Sequence, residues 1–188
     1  MLAGCLPSSA GCTTGGTVDD DIERAVLDAL AVLRADYEVV RIDPAFAATA
    51  AFCERYGYSP ERSANCIVVA SKTSPRRHAA CLVQATRRLD VNRTVRRLLD
   101  ARKASFASAE ETVELTGMLP DGVTPFGLPT QLPLYVDSGV MAFDRVIVGG
   151  GSRSLKLLVA TEVFLRMPAV TVVEGLAKSD RPPETVAP

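Results

Sequence analysis

Residues 145–159 read Arg145-Val-Ile-Val-Gly-Gly-Gly-Ser-Arg-Ser-Leu-Lys-Leu-Leu-Val159. Two β-rich apolar runs, 145–148 and 155–159, flank the stretch Gly149-Gly150-Gly151-Ser152. Apolar runs split by a short glycine cluster predict an antiparallel hairpin. A strand that returns directly, with no helix between, breaks the strand–helix alternation of a doubly wound fold.

Working outward, the same pattern recurs. Leu134-Tyr135-Val136 reads as a strand, and Ala169–Val173 as the last one. Cys66-Ile67-Val68-Val69-Ala70 and Ala79–Ala85 are continuous apolar runs, as in strands buried on both faces. Glu38–Ile42 is a short strand. Between them lie helical signals. Ile22, Ala25, Val26, Ala29, Leu30 and Leu33 share one helical face, behind three aspartates that suit the positive end of the helix dipole. Pro44 opens a helix over Ala45–Tyr56 that Gly57 stops, and Ser59–Arg62 resembles one further turn. Val91, Val95, Leu98 and Leu99 mark a helix ending near Asp100, Ala109 starts another that Gly117 ends, and Thr161 caps one running to Met167. The expectation is one α/β domain over residues 18–178, with a mixed, curved or barrel-like sheet of about seven strands and flanking helices. Residues 1–17 read as a flexible leader and 179–188 as a disordered tail.

Composition prunes the functions. At 188 residues, 47% apolar and 23% charged, the chain can bury a core and is not disordered. No apolar run approaches the ~20 residues of a membrane span. The net charge of −1 gives no global field for DNA or anionic lipid, so neither DNA nor a membrane is an expected partner. Leu2-Ala3-Gly4-Cys5 spells a lipoprotein box but lacks the basic and apolar stretches a signal needs, so a cytoplasmic protein is expected. The five scattered cysteines argue against a disulfide framework, and with His78 the single histidine no metal site is expected. His78 itself reads as an exposed loop or strand-edge residue.

Charge is unevenly placed. Residues 76–103 carry 9 Lys/Arg against 2 Asp/Glu, a net of +7, between flanks of −4 each. Arg76, Arg77, Arg93, Arg96, Arg97 and Lys103 fall in this block. It reads either as a solvated face or as a patch for phosphates.

Three ordered segments resemble the YbaK/ProX family of aminoacyl-tRNA deacylases, relatives of the editing domain of bacterial prolyl-tRNA synthetases. They are Ser59–Val69, the loop Glu114–Gly117 with Gly122–Gly127, and Leu134–Asp137 followed by Val146–Arg153. The resemblance covers roughly residues 20–178. It implies hydrolysis, in trans and without a cofactor, of the ester joining a wrong amino acid to tRNA. It implies aminoacyl-tRNA and a synthetase as partners. It assigns catalysis to Asn65, Gly122 and Thr124, and substrate binding to Ala48, Gly117, Pro125, Gly127, Asp137, Gly149, Gly150, Gly151 and Arg153. The basic block would then hold the tRNA backbone. Relatives commonly carry a lysine where this chain has Asn65. Two other readings therefore stay open. One is a weak or inactive module that binds tRNA ends, nucleotides or a synthetase. The other is an unrelated hydrolase using Cys66, although an apolar strand would bury that thiol as inert. Arg153 and Lys156 also read as surface charges.

Overall fold

A computed structural model describes residues 17–179. Of the expected leader and tail, only Thr17 and Ser179 fall among the described residues. Thr17 caps helix α1 (Val18–Val32). Its hydroxyl accepts from the Asp20 N–H at 3.3 Å, and the Asp20 carboxylate accepts from the Thr17 N–H at 2.9 Å.

The strands follow in chain order as β1 (Tyr37–Arg41), β2 (Ala64–Ser71), β3 (His78–Gln84), β4 (Arg87–Leu89), β5 (Ala104–Phe106), β6 (Leu134–Asp137), β7 (Arg145–Gly149), β8 (Leu155–Ala160), β9 (Val170–Val173) and β10 (Ala177–Ser179). The further α-helices are α2 (Thr49–Tyr56), α3 (Arg96–Leu98, continuing a π-turn from Val91) and α4 (Ala109–Thr116). All seven expected strands form, and β4, β5 and β10 add three more among the described residues.

The barrel expectation is corrected. The sheets are open: an antiparallel β1-β8-β7 sheet, a mixed β5-β2-β3-β6-β9 sheet, and a β10-β4 pair. Closure needs a continuous ladder of hydrogen bonds. Here a single parallel bridge, Ser63 to Ile147, joins the two larger sheets among the described residues. Beyond it a cavity lies between β2 and β7.

Three apolar clusters hold these layers. Helix α1 lays Val26 and Leu30 against Val148, Leu155 and Leu157 of the three-stranded sheet. On the outer face of the five-stranded sheet, Val69, Ala79, Cys81 and Val83 pack under Val91, Val95 and Leu99. Helix α2 lays Phe52 and Cys53 over Ile147, with Leu158 alongside. Burying such side chains contributes about 1.5–3 kcal/mol each before entropy is counted.

The helix expected over Ala45–Tyr56 is broken. Pro44–Phe46 is a 3-10 turn, Ala48 is extended (φ −62°, ψ 135°), and α2 begins at Thr49. The break leaves the Ala47 carbonyl without a helical partner. The helix expected after Thr161 is likewise a 3-10 helix, Thr161–Arg166. Gly57 and Gly117 end their helices as expected, at φ +74° and +69°.

Candidate active site

A cavity of about 340 Å³ opens where the two large sheets part. Its walls are Thr49 and Phe52 of α2, residues 63–67 entering and forming β2, Asp121 and Val123, residues 147–149 of β7, and Lys156 of β8. Strand β5 pairs with Val69–Ser71, so along residues 64–67 the edge of β2 away from β3 has no ladder partner among the described residues.

Asn65 lies in this cavity, as its candidate role requires. Its Oδ1 accepts a 2.6 Å hydrogen bond from the Thr49 hydroxyl, which leaves the amide NH2 to donate elsewhere. Cys66 also lines the wall, but burial pushes its thiol up to about 12. It is not a thiolate near neutral pH, so the cysteine-hydrolase reading loses its nucleophile.

The glycines do different work from one another. The Gly151 N–H donates to the Gly122 carbonyl at 2.7 Å, and the Leu119 N–H to the Gly151 carbonyl at 3.1 Å. A Cβ at Gly149 would come within 2.5 Å of the Gly122 and Val123 carbonyls, and one at Gly122 would fall onto the Ser152 carbonyl. Loop and hairpin are thus packed backbone to backbone, which forbids side chains there. Gly149 reaches the cavity, whereas Gly122, Gly150 and Gly151 lie outside its lining. A Cβ at Gly150 would meet the Leu155 side chain. Thr124 is fully buried, with its N–H on the Met118 sulfur at 3.4 Å and no hydroxyl partner. Pro125 and Gly127 line a separate apolar cavity of about 250 Å³ against α1. Gly117 is a helix stop and Ala48 the N-cap of α2, one residue from Thr49.

Asp137 is turned away from the cleft. It is 0% exposed and accepts from Arg87 at 2.6 Å, the Gly139 N–H at 3.2 Å and the Ala177 N–H at 3.1 Å. Arg153 stands at the rim, bonded to the Asp121 carboxylate at 2.8 Å and the Pro44 carbonyl at 3.1 Å.

Lys156, read above as a surface charge, is corrected. It is 5% exposed. Its Nζ donates to the Ala47 carbonyl at 2.8 Å and the Asp121 carbonyl at 3.0 Å, and lies 5.8 Å from the Phe52 ring centre. Burial pulls this ammonium below the usual lysine range, helped by Arg153 and opposed by Asp121 and Cys53. A signal was available in the sequence. Lys156 alternates with inward Leu155 and Leu157, so it shares the face of Leu158, which α2 covers.

The basic block lies on the other layer, around the outer cluster. Arg93, Arg96 and Arg97 border a hollow of about 500 Å³ with Asp90 and Asp100. Arg77 bonds Asp100 and the Leu99 carbonyl. Lys103 is exposed, and its carbonyl accepts from the Lys72 N–H at 2.8 Å. Arg76 forms a two-point pair with Glu111, at 2.6 and 2.8 Å. His78 is a half-buried first residue of β3 rather than an exposed one, 2.8 Å from the same Glu111. Among the described residues no cluster of histidine, cysteine or carboxylate could hold a metal ion, and no helix is long and apolar enough to cross a membrane.

An aminoacyl-tRNA editing domain model matches residues 43–167, the span that carries every wall of the cleft. The chain belongs to the aminoacyl-tRNA editing domain family. It is YbaK-like, as its motifs suggested. Over 55 residues it is 40% identical to proline–tRNA ligase of Bacillus licheniformis, a match spanning 29% of this chain and 10% of that one. Two solved structures share its fold at TM-score 0.70 and 23% identity. The hypothetical protein APE2540 matches over 79% of this chain and 97% of its own. A candidate trans-editing enzyme for prolyl tRNA synthetase matches over 84% and 97%.

Proposed function

We propose that this editing domain hydrolyses the ester of mischarged aminoacyl-tRNA, acting in trans. The observation that carries the reading is the cleft at the parting of the sheets. It joins an uncovered strand edge, a hydrogen-bonding Asn65–Thr49 pair and a buried ammonium in one small cavity. Its volume of about 340 Å³ is at the low end for ligand sites, which suits an aminoacyl group on one ribose rather than a whole nucleotide chain. The likeness to a solved candidate trans-editing enzyme supports action in trans.

In this reading the Asn65 amide donates to the bound aminoacyl ester. Gly122, packed on the hairpin, fixes the loop that carries Asp121 and Val123 into the wall. Thr124 sets the inner end of the same loop. Gly149 gives the reacting end close access to backbone, and Arg153 with Asp121 forms the rim. Arg93, Arg96 and Arg97 hold tRNA phosphates beyond the cleft.

A single-turnover deacylation assay over a panel of mischarged tRNAs tests this. Release of at least one amino acid well above the uncatalysed rate is expected. Saturable binding of tRNA ends with no turnover on any member would favour a binding module instead, a reading that the uncharged Asn65 supports.

A further inference from the structure

We propose that Lys156 is the electrostatic catalyst of the cleft, stabilising the oxyanion that forms when the ester is attacked. This rests on the deacylase reading above. Among the ionisable side chains lining the cavity are Asp121, Cys66 and Lys156. Asp121 is negative and its carboxylate is held by Arg153 at 2.8 Å. Cys66 stays a neutral thiol. Lys156 is the cation of the lining, and an oxyanion needs a cation or aimed donors.

Its setting suits this better than it suits packing. An ammonium has three donors. Two are taken by neutral carbonyls, Ala47 at 2.8 Å and Asp121 at 3.0 Å, one from the segment before α2 and one from the loop after α4. Both carbonyls exist as acceptors because the chain is irregular there: the helix breaks at Ala47–Ala48, and Asp121 sits at φ +62°. The two bonds fix the ammonium without neutralising it, and the third N–H remains for substrate. A buried ammonium whose hydrogen bonds go only to neutral carbonyls is costly for the fold, and a methionine would fill the same space. Held below the usual lysine range by burial, with Asp121 and Cys53 opposing and Arg153 assisting, the group is also a better hydrogen-bond donor to an oxyanion.

The step balances without a co-reactant. A water oxygen bonds to the ester carbonyl carbon, and the carbonyl π pair moves onto oxygen, where Lys156 donates a hydrogen bond. Collapse breaks the bond from that carbon to the ribose oxygen. The ribose oxygen leaves with the proton shed by the attacking water. Lys156 transfers no proton.

The test uses the full chain and the mischarged tRNA it cleaves fastest. For Lys156→Met the single-turnover rate should fall about 10–150-fold, the worth of one charge-assisted hydrogen bond in the transition state. Affinity for an uncleavable amide-linked aminoacyl-adenosine should change less than about threefold, since the amide carries no oxyanion. Lys156→Arg should recover part of the rate. A merely structural lysine would lose affinity and rate together, and that result overturns the proposal, as does a Lys156→Met rate within twofold of wild type. Should the Met variant not fold, Lys156→Gln decides, since it keeps a hydrogen-bond donor without the charge. A Gln rate within twofold of wild type overturns the proposal. No turnover by wild type on any tRNA removes the functional reading and this inference together. Turnover that ignores Lys156 removes this inference alone.

Discussion

The region around Asp137 and the region around Lys156 each bury one charged group, and they bury it in opposite ways. Asp137 meets a full countercharge from Arg87 and two backbone N–H donors, so its charge is spent on the fold. It ties β4, β6 and β10 together through Arg87, its own strand and Ala177. Lys156 meets two neutral carbonyls and an aromatic face, so its charge is held in place but not cancelled. A cancelled charge organises structure, while an uncancelled one beside a cavity is available to a ligand.

The largest effect should come from the Asp137 side. Asp137→Ala leaves the Arg87 guanidinium without its buried partner and two N–H groups unmet. Breaking a buried pair this way costs about 3–5 kcal/mol. Urea denaturation should show that loss, while the activity per folded molecule stays near wild type. Preserved stability would mean that the cancelled charge is not structural, and the contrast would collapse. Lys156→Met should show the crossed pattern. Two carbonyls lose their donor, at about 1–3 kcal/mol each at most, offset by removal of a desolvated charge. The stability loss should therefore be smaller than for Asp137→Ala, measured in the same urea series, with the activity loss larger.

A placement test sharpens the contrast further. Asn65 and Lys156 line one cavity from different strands. If the cleft needs a cation somewhere in it, Asn65→Lys should restore part of the rate in the Lys156→Met background, by roughly tenfold for one charge-assisted bond. In the wild-type background the same change puts two ammonium groups in one cavity and should give little or no gain. Deacylation rates of the four proteins decide this. Equal gains in both backgrounds would show that the two positions act independently.

The charged face beyond the cleft should respond by affinity alone. Arg96→Glu with Arg97→Glu should weaken tRNA binding and lower the salt slope by about one for each phosphate these arginines hold. Rates at saturating enzyme should be unchanged. An unaltered salt slope would leave these arginines as a solvated surface.

How much of this could be read from the chain follows the same division between local and distant partners. The seven long strands were legible because apolar runs and turn residues are local signals. Arg87-Arg88-Leu89, Ala104–Phe106 and Ala177–Ser179 were not, since strands of three residues are too short to show a period. The open sheets were hidden because closure depends on where β2 and β7 part, which no single segment encodes. Asn65 and Gly149, singled out by motif, both line the cavity. The remaining glycines were legible as special positions, but their reasons differ: Gly122 is set by the packing of loop on hairpin about thirty residues away, Gly117 by a helix end and Gly150 by the Leu155 side chain. Asp137 was named a site residue through the family resemblance alone. Its partner Arg87 lies 50 residues away, and only the fold brings them together. Lys156 was misread as a surface charge, since a lysine is usually exposed and a single odd residue in an apolar strand is easily read as its solvent side.

The smallest effect should come from a third charged group, which serves as the control for the other two. Glu111 accepts from Arg76 and faces His78, all at the surface end of β3 and α4. Hydrogen bonds from Arg76 first, then His78, hold its carboxyl at about 2, below the usual 4.5. A carboxylate lowered on folding adds stability above its unfolded value and loses it as pH falls through the folded one. The contribution should thus be complete above about pH 5 and disappear between about 4.5 and 2. Arg76 is half exposed, so water and salt screen the pair and the effect should be modest. Urea midpoints across that pH window should fall less steeply for Glu111→Gln than for wild type, and added salt should narrow the difference. At neutral pH the variant should be nearly as stable as wild type and fully active. A loss as large as that of Asp137→Ala would show that exposure does not separate structural charges from idle ones here, and the contrast drawn from Asp137 and Lys156 would need another cause.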